Sequence, residues 1–302
     1  MNNIRAIQNE TSQLQRLAAQ RQLYADAKTA LGVQFILSAP VTVILMTLAI
    51  IFPEINVYVA LWGILLWLAD ELLLNKYQKE LKEKAATIQE YFDCDVLSIP
   101  WNKLKANDNI VDELVKEYSE NYNNSKTPMP SIRDWYSISV QNLPVGIARL
   151  VCQRANCCWD AKQRRRYANL IRNFLLILLI GMTIIGLIAN LTIEDFLLII
   201  AVPLMPAIRL LVRQVSEHNE TADRLDKLKS FTESLWSDAI NGLDADILLT
   251  RSRTLQDEIF EGRKRNAPIF DWMFRKLRRD YEIQMNHSSE RLVAEAREKL
   301  GL

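Results

Sequence analysis

The chain has 302 residues, enough for one or two domains, with 37 Lys and Arg set against 36 Asp and Glu and a formal net charge of +1. A balance this close to neutral excludes global attraction to nucleic acid or anionic lipid, and leaves any such partner to a local patch. The mean hydropathy of −0.04 averages a sharply apolar part and a water-soluble part.

The polar stretch after Met1 carries Ile4, Ile7, Leu14, Leu17 and Tyr24 at spacings of three, four and seven, which predicts an amphipathic helix leading to the first apolar run. It has neither a basic n-region nor a short apolar core, so no cleaved signal peptide is expected. Apolar runs follow at about residues 33–52, 57–74, 173–189 and 196–212, each near the ~17–25 residues that a helix needs to cross a bilayer. No Lys or Arg occurs in residues 29–75 or 173–208. The turn Pro53, Glu54, Ile55, Asn56 and the turn at 190–195 hold no basic residue, while Lys28, Lys76, Lys79, Arg164, Arg165, Arg166 and Arg213 crowd the other ends. The positive-inside bias therefore predicts both turns outside and the N-terminus, the middle and the C-terminus in the cytoplasm.

The second run passes through Lys76, Lys79 and Lys82 toward Tyr91 in a pattern of Lys, Glu and Leu that predicts a helix continuing into water. From Phe92 to Trp101 a short alternating piece closed by Pro100 reads as one strand or an extended loop. Asp108 is placed to cap a helix ending near Asn121, and Asn123, Asn124, Ser125, Pro128 and Pro130 mark a loop and candidate hinge. Pro144 can start a helix through Ile147, Leu150 and Val151 to Trp159 and into the third run. In the fourth, Pro203 and Pro206 remove backbone donors and are expected to kink the helix. Beyond Arg213, helix is predicted as far as Gly242 with Leu225, Leu228, Leu235 and Ala239 on one face, then at about 244–261, and after a break at Pro268 at 271–300.

The fold class is accordingly mostly α: an integral membrane protein with four transmembrane helices in two hairpins, continuous with a helical cytoplasmic domain. The division is an N-terminal helix at 1–30, a first hairpin at 31–75, cytoplasmic parts at 76–169 and 214–302, and a second hairpin at 170–213.

Charges within the runs are few. Asp70 and Glu71 lie about one turn from the inner end of the second, Arg209 at similar depth in the fourth and Arg172 at the start of the third. They read either as ion pairs that hold a closed state or line a pore mouth, with Pro203 and Pro206 assisting the gating, or as interfacial side chains snorkelling to headgroups. Glu194 and Asp195 suit a helix N-terminus. In the polar parts, aromatic, acidic and guanidinium groups come together in Arg133, Asp134, Trp135, Tyr136; in Arg154, Asn156, Trp159, Asp160; in Arg251, Arg253, Gln256, Asp257; and in Asp271 with Trp272. Such sets can stack a base, pair a phosphate and read a base edge, and they also make ordinary helix-packing contacts.

No catalytic residue is assigned: the chain has no Gly-rich phosphate loop, no HExxH and no GxSxG, and its two histidines, His218 and His287, stand apart. Cys94, Cys152, Cys157 and Cys158 fall on the predicted cytoplasmic side, where disulfides do not persist. Without a paired CxxC or a nearby histidine they read as buried helix cysteines, and no metal is expected.

Five stretches together resemble one family. They are Ile7, Gln8, Asn9 with Leu17, Ala18, Ala19, Gln20, Arg21; FDCDVLSIPWN at 92–102; Asp134, Trp135, Tyr136, Ser137; CQRANCCWD at 152–160; and RSRTLQDEIFEGR at 251–263. With the order of two spans, soluble middle, two spans and soluble tail, the chain is similar to the SMODS-associating four-transmembrane effector family. That resemblance implies a bacterial inner-membrane effector of CBASS anti-phage immunity, with no cofactor and with a cyclic di- or trinucleotide from a partner cyclic-nucleotide synthase as activating ligand. Its further partners would be the lipid bilayer and other copies of itself, since four helices enclose little space, and not a DNA or RNA polymer. The alternative readings are a passive membrane-anchored scaffold and a small-ion channel subunit.

Overall fold

The computed structural model describes residues 2–105, 112–124, 131–158, 160–270 and 290–301. Among these no strand occurs. Contacts divide the chain into two compact units, one of residues 1–25, 81–163 and 221–302 and one of residues 26–80 and 164–220.

Helices α1 (Ile4–Gln8) and α2 (Thr11–Ile36) are followed by a π-helical turn at Leu37–Val41 and by α3 (Thr42–Ile51). Then come α4 (Asn56–Ala69), a second π turn at Asp70–Leu74, and α5 (Asn75–Leu97). After α6 (Asp112–Asn123) and α7 (Val145–Cys158), α8 (Asp160–Ile188) carries the third apolar run. The fourth runs through α9 (Ile193–Asp195), a π turn at Phe196–Ala201 and α10 (Val202–Ile240); α11 (Ala245–Arg265) and a last helix, α12, at residues 290–300 complete the order.

Four helical stretches are long and apolar enough to span a membrane: Thr11–Ile51, Pro53–Leu97, α8 and Ile193–Ile240. Their unit packs a thin core of Ala39, Met46, Ala49, Val59, Met182, Ile199, Ile200, Leu204 and Ala207. Around that core large apolar side chains stand open, Ile177 at 69% and Leu187 at 73% exposure among them. A surface of that character is stable only where lipid replaces water. Pro40 sits within the π turn at Leu37–Val41, and Pro203 and Pro206 follow the one at Phe196–Ala201, so two of the three widened turns coincide with places where a backbone donor is missing or about to be lost, while that at Asp70–Leu74 holds no proline. In the turn between the third and fourth runs Thr192 caps α9, its side chain accepting from Asp195 N at 3.1 Å and donating to Asp195 Oδ2 at 2.7 Å, which accounts for the two acids there as helix-start residues.

The other unit buries Phe92, Val96 and Leu97 of α5, Ile147, Leu150 and Val151 of α7, and Leu235 and Ala239 of α10, with Leu248 of α11 and Leu292, Val293 and Ala296 of α12. The expected strand or loop from Phe92 is corrected here: α5 runs on to Leu97. The alternation misleads because Asp93 and Leu97 are buried as well as Phe92, Cys94 and Val96, so the segment is inward-facing on more than one side. Ser98, in the left-handed region at φ 53°, ends the helix, with Ile99 N donating to Cys94 O at 2.9 Å and Pro100 preventing resumption. Pro144 directly precedes α7, whose first bond runs from Ala148 N to Pro144 O at 2.9 Å. α10 stops at Gly242, which takes φ 95°, and Asp244 caps α11 by accepting from Asp246 N and Ile247 N. α11 continues to Arg265, four residues beyond the expected end. The expected Asp108 cap, most of the hinge loop and the start of the last helix, with Asp271 and Trp272, lie outside the described residues.

Candidate functional site

The polar side chains of α5, α7 and α11 that face inward recur at helical spacing: Glu90, Asp93 and Cys94; Arg149, Cys152, Gln153 and Asn156; Arg253, Gln256, Asp257 and Arg263. An apolar stripe would be ordinary at such positions, whereas a buried polar stripe demands partners. Asp93, 0% exposed, accepts from Arg263 Nη1 at 2.6 Å, from the Tyr136 hydroxyl at 2.6 Å and from Gln256 Nε2 at 2.9 Å. Glu90, 2% exposed, accepts from Arg253 Nη2 at 2.6 Å and from Gln256 Nε2 at 2.8 Å. Arg253 also donates to Asp257 at 2.9 Å and to Pro100 O at 3.0 Å, and Asn102 donates to Asp257 at 2.9 Å. Gln153 donates to Gln256 Oε1 at 3.1 Å and Asn156 to the Tyr136 oxygen at 3.1 Å. Two guanidinium groups thus serve three carboxylates within one network.

Burial and the neighbouring charge of Asp93 push the Glu90 carboxyl above its usual range, against the pull of Arg253. Burial alone would lower Arg263, but Asp93 reverses this and raises it. Arg149 closes the end of α5, Nε donating to Leu97 O at 2.8 Å and Nη2 to Ser98 O at 2.9 Å, where a cation also suits the helix dipole. Burial pushes the thiols of Cys94 and Cys152 well up, and Cys157 is buried too. A raised pKa keeps the reactive thiolate scarce until unfolding restores ordinary titration. In a Cys158→Ser background these three are therefore expected to resist a maleimide at about pH 8 and to react together after denaturation; rapid labelling of the native protein would contradict their burial.

The sequence-selected residues are divided by the structure. Arg253, Gln256, Asp257, Asn156 and Tyr136 meet in the network. Tyr136 is buried against Phe92, ring centroids 6.0 Å apart, so a base would reach its ring only after rearrangement, whereas Trp135 is partly exposed, meets Phe92 edge-on and has the Arg21 guanidinium 5.1 Å over its ring. Arg154 pairs with Glu233 at 3.3 Å and Arg251 with Asp238 at 2.8 Å, both outside the network. Trp159 lies outside the described residues, as do the side chains of Cys158 and Asp160. In the span-bearing unit Arg209 bonds Glu71 at 2.7 Å and lies 5.7 Å over the Trp67 ring, Asp70 is buried, and Arg172 is exposed. Glu90, Asp93, Arg149, Gln153 and Arg263 were not selected from sequence. The i, i+3, i+7, i+10 run of Arg253, Gln256, Phe260 and Arg263 was the signal available.

A second feature adjoins the network along the chain. Asn2, Asn3, Arg5, Ala6, Asn9, Arg133, Asp134 and Gln141 line an open groove of about 510 Å³. Arg5 Nη1 donates to Gln141 Oε1 at 3.3 Å and Asn9 Nδ2 to Asp134 Oδ1 at 2.9 Å. Asp134 holds φ 51°, and Gln8 clasps the backbone of Tyr136 two residues on, accepting from its N at 2.8 Å and donating to its O at 3.2 Å. One short loop therefore carries a groove arginine, Arg133, and a ligand of buried Asp93, Tyr136.

Four apolar spanning helices and a helical unit locked by buried ion pairs define an integral membrane protein with a compact polar-cored helical unit. Its family follows from comparison: the model described as the SMODS-associating 4TM effector domain matches residues 2–292, and the chain belongs to that family. A probable CBASS effector molecule from Bacillus cereus (strain VD146) is 22% identical over 275 residues, covering 88% of this chain and 90% of the relative. No solved structure matches.

Proposed function

We propose that the chain is a CBASS anti-phage effector of the bacterial inner membrane, activated by a cyclic di- or trinucleotide and acting by permeabilising the bilayer without covalent chemistry. The termini and the long middle segment would face the cytoplasm, where a synthase delivers the ligand. Family membership and the B. cereus relative support the class. The observation that carries the ligand-gated reading is the loop at Arg133–Tyr136, because it ties an exposed, basic, amide-lined groove to the buried lock at Asp93. Phosphates suit Arg5 and Arg133 and base edges suit Asn3, Asn9 and Gln141. A ligand that prefers a displaced loop would shift the equilibrium by that preference alone, and the stretch Pro53–Leu97 contains both Asp93 and the second span. Several subunits would be needed to enclose a conducting path.

Arg5→Ala and Arg133→Ala are each expected to weaken binding of the activating nucleotide about tenfold or more, the scale of a charge-assisted hydrogen bond, while Arg251→Ala, whose exposed pair lies apart, leaves it unchanged. Calorimetry with the purified protein and a panel of cyclic di- and trinucleotides checks this; equal binding by all three variants would move the site elsewhere. A scaffold reading draws on Arg154, Arg251 and Arg253 each being held by a carboxylate. Membrane potential in cells separates the two: depolarisation on supplying one cyclic nucleotide supports the effector, and none with any nucleotide at normal expression supports the scaffold.

A further inference from the structure

In the span-bearing unit the buried polar side chains of the first span fall on one face: Gln34, Ser38 and Thr42, at i, i+4 and i+8 and none above 1% exposure. Two cross-helix bonds fix their register against the second span. Trp62 Nε1 donates to Thr42 Oγ1 at 3.1 Å at one end. At the other, Gln78 Nε2 donates to Gln34 Oε1 at 2.9 Å and Gln34 Nε2 to Asn75 Oδ1 at 3.3 Å. An antiparallel pair pinned at 42 with 62 and at 34 with 75 and 78 sets Ser38 level with residues 66–71, and Asp70 lies in that interval. Asp70 is 6% exposed and within side-chain hydrogen-bonding reach of Gln34. Both Ser38 and Asp70 sit in π-helical turns, Leu37–Val41 and Asp70–Leu74, a distortion that recurs at functional sites.

The polar groups here are under-satisfied in one particular sense. Asp70 Oδ1 and Ser38 Oγ are buried with no hydrogen-bond partner among the described residues. Arg213 and Arg209 act on Asp70 through space, but neither forms an ion pair with it among the described residues: Arg209 bonds Glu71 at 2.7 Å and Arg213 lies 3.8 Å from Glu217. A carboxylate left buried in a span without a contacting cation is strongly disfavoured, and such groups mark ion or proton sites. The unmet capacity is for a positive charge surrounded by oxygen, with one formal negative charge to balance it.

We propose that the oxygens of Asp70 and Ser38, with Gln34 positioning the carboxylate, form a binding site for a monovalent metal cation, Na⁺ or K⁺, within the span bundle. Carboxylate and hydroxyl oxygens are hard donors suited to such ions, while Gln34, whose Oε1 accepts from Gln78, turns its amide N–H to the Asp70 carboxylate and holds it in place. A single carboxylate favours a monovalent ion over a divalent one, which gathers more acidic ligands. This site does not depend on the nucleotide reading, since it would be occupied in the resting protein.

The test is the thermal midpoint of the full chain in detergent, measured at fixed ionic strength in NaCl, KCl or N-methylglucamine chloride. The midpoint is expected to rise saturably with Na⁺ or K⁺ for the unmodified chain and for Glu71→Gln, and to be flat for Asp70→Asn. For Ser38→Ala the half-saturating concentration should rise about tenfold; should Asp70→Asn not fold, that shift decides. A midpoint independent of the cation, an unchanged response in either Asp70→Asn or Ser38→Ala, or an infrared band of a protonated carboxyl lost only in Asp70→Asn would overturn the proposal.

Discussion

Replacing Arg263 by methionine is expected to destabilise the polar-cored unit by about 3–5 kcal/mol, the loss typical when one partner of a buried ion pair is removed. The change leaves Asp93 fully buried with its charge met only by Tyr136 and Gln256, and a methionine of similar length fills most of the space without supplying a donor. Adding Asp93→Leu should recover much of the loss, because the penalty lies in an unpaired charge more than in the missing bond. Denaturant unfolding followed by tryptophan fluorescence gives both numbers. A cost below about 1 kcal/mol for Arg263→Met would mean that water reaches the pair, and the network could not then act as a lock.

The second large effect is expected at Gly63. A Cβ there would stand 2.6 Å from Pro203 Cα and 2.8 Å from Val202 O, both backbone atoms that no rotamer change can move. Gly63→Ala should cost about 1–3 kcal/mol by overpacking, and Gly63→Leu considerably more. Gly181→Ala, where nothing lies within 4 Å, serves as the control and should be close to neutral. Thermal unfolding in detergent distinguishes them; equal midpoints for the Gly63 and Gly181 variants would show that the second and fourth spans do not meet at this point.

The spans were legible because a long apolar run free of Lys and Arg is at home in few settings besides the hydrocarbon of a bilayer. The stop at Gly242 and the start at Pro144 were legible because each has a local backbone cause. The helix through Phe92–Leu97 was not, since period-2 and period-3.6 patterns become indistinguishable where nearly every side chain is buried. The same ambiguity concealed the network. Glu90, Asp93 and Arg263 look like ordinary surface charges in a Lys- and Glu-rich helix until the fold brings α5 and α11 together. Tyr136 looked like a stacking platform from its neighbours, but its hydroxyl is committed to Asp93. Arg133 and Asp134 were selected from sequence for their chemistry, whereas Arg5, Asn9 and Gln141 complete the groove only through tertiary contacts some 125–136 residues apart in sequence.

Activation by a cyclic oligonucleotide followed by membrane damage is tested most directly with the purified chain reconstituted into dye-loaded vesicles of bacterial inner-membrane lipids. Dye release is expected on addition of one cyclic di- or trinucleotide, at no other, and not from vesicles carrying Arg5→Ala, Arg133→Ala protein. Vesicles that hold folded protein yet stay sealed with every nucleotide, or leak equally without any, would contradict the proposed gating.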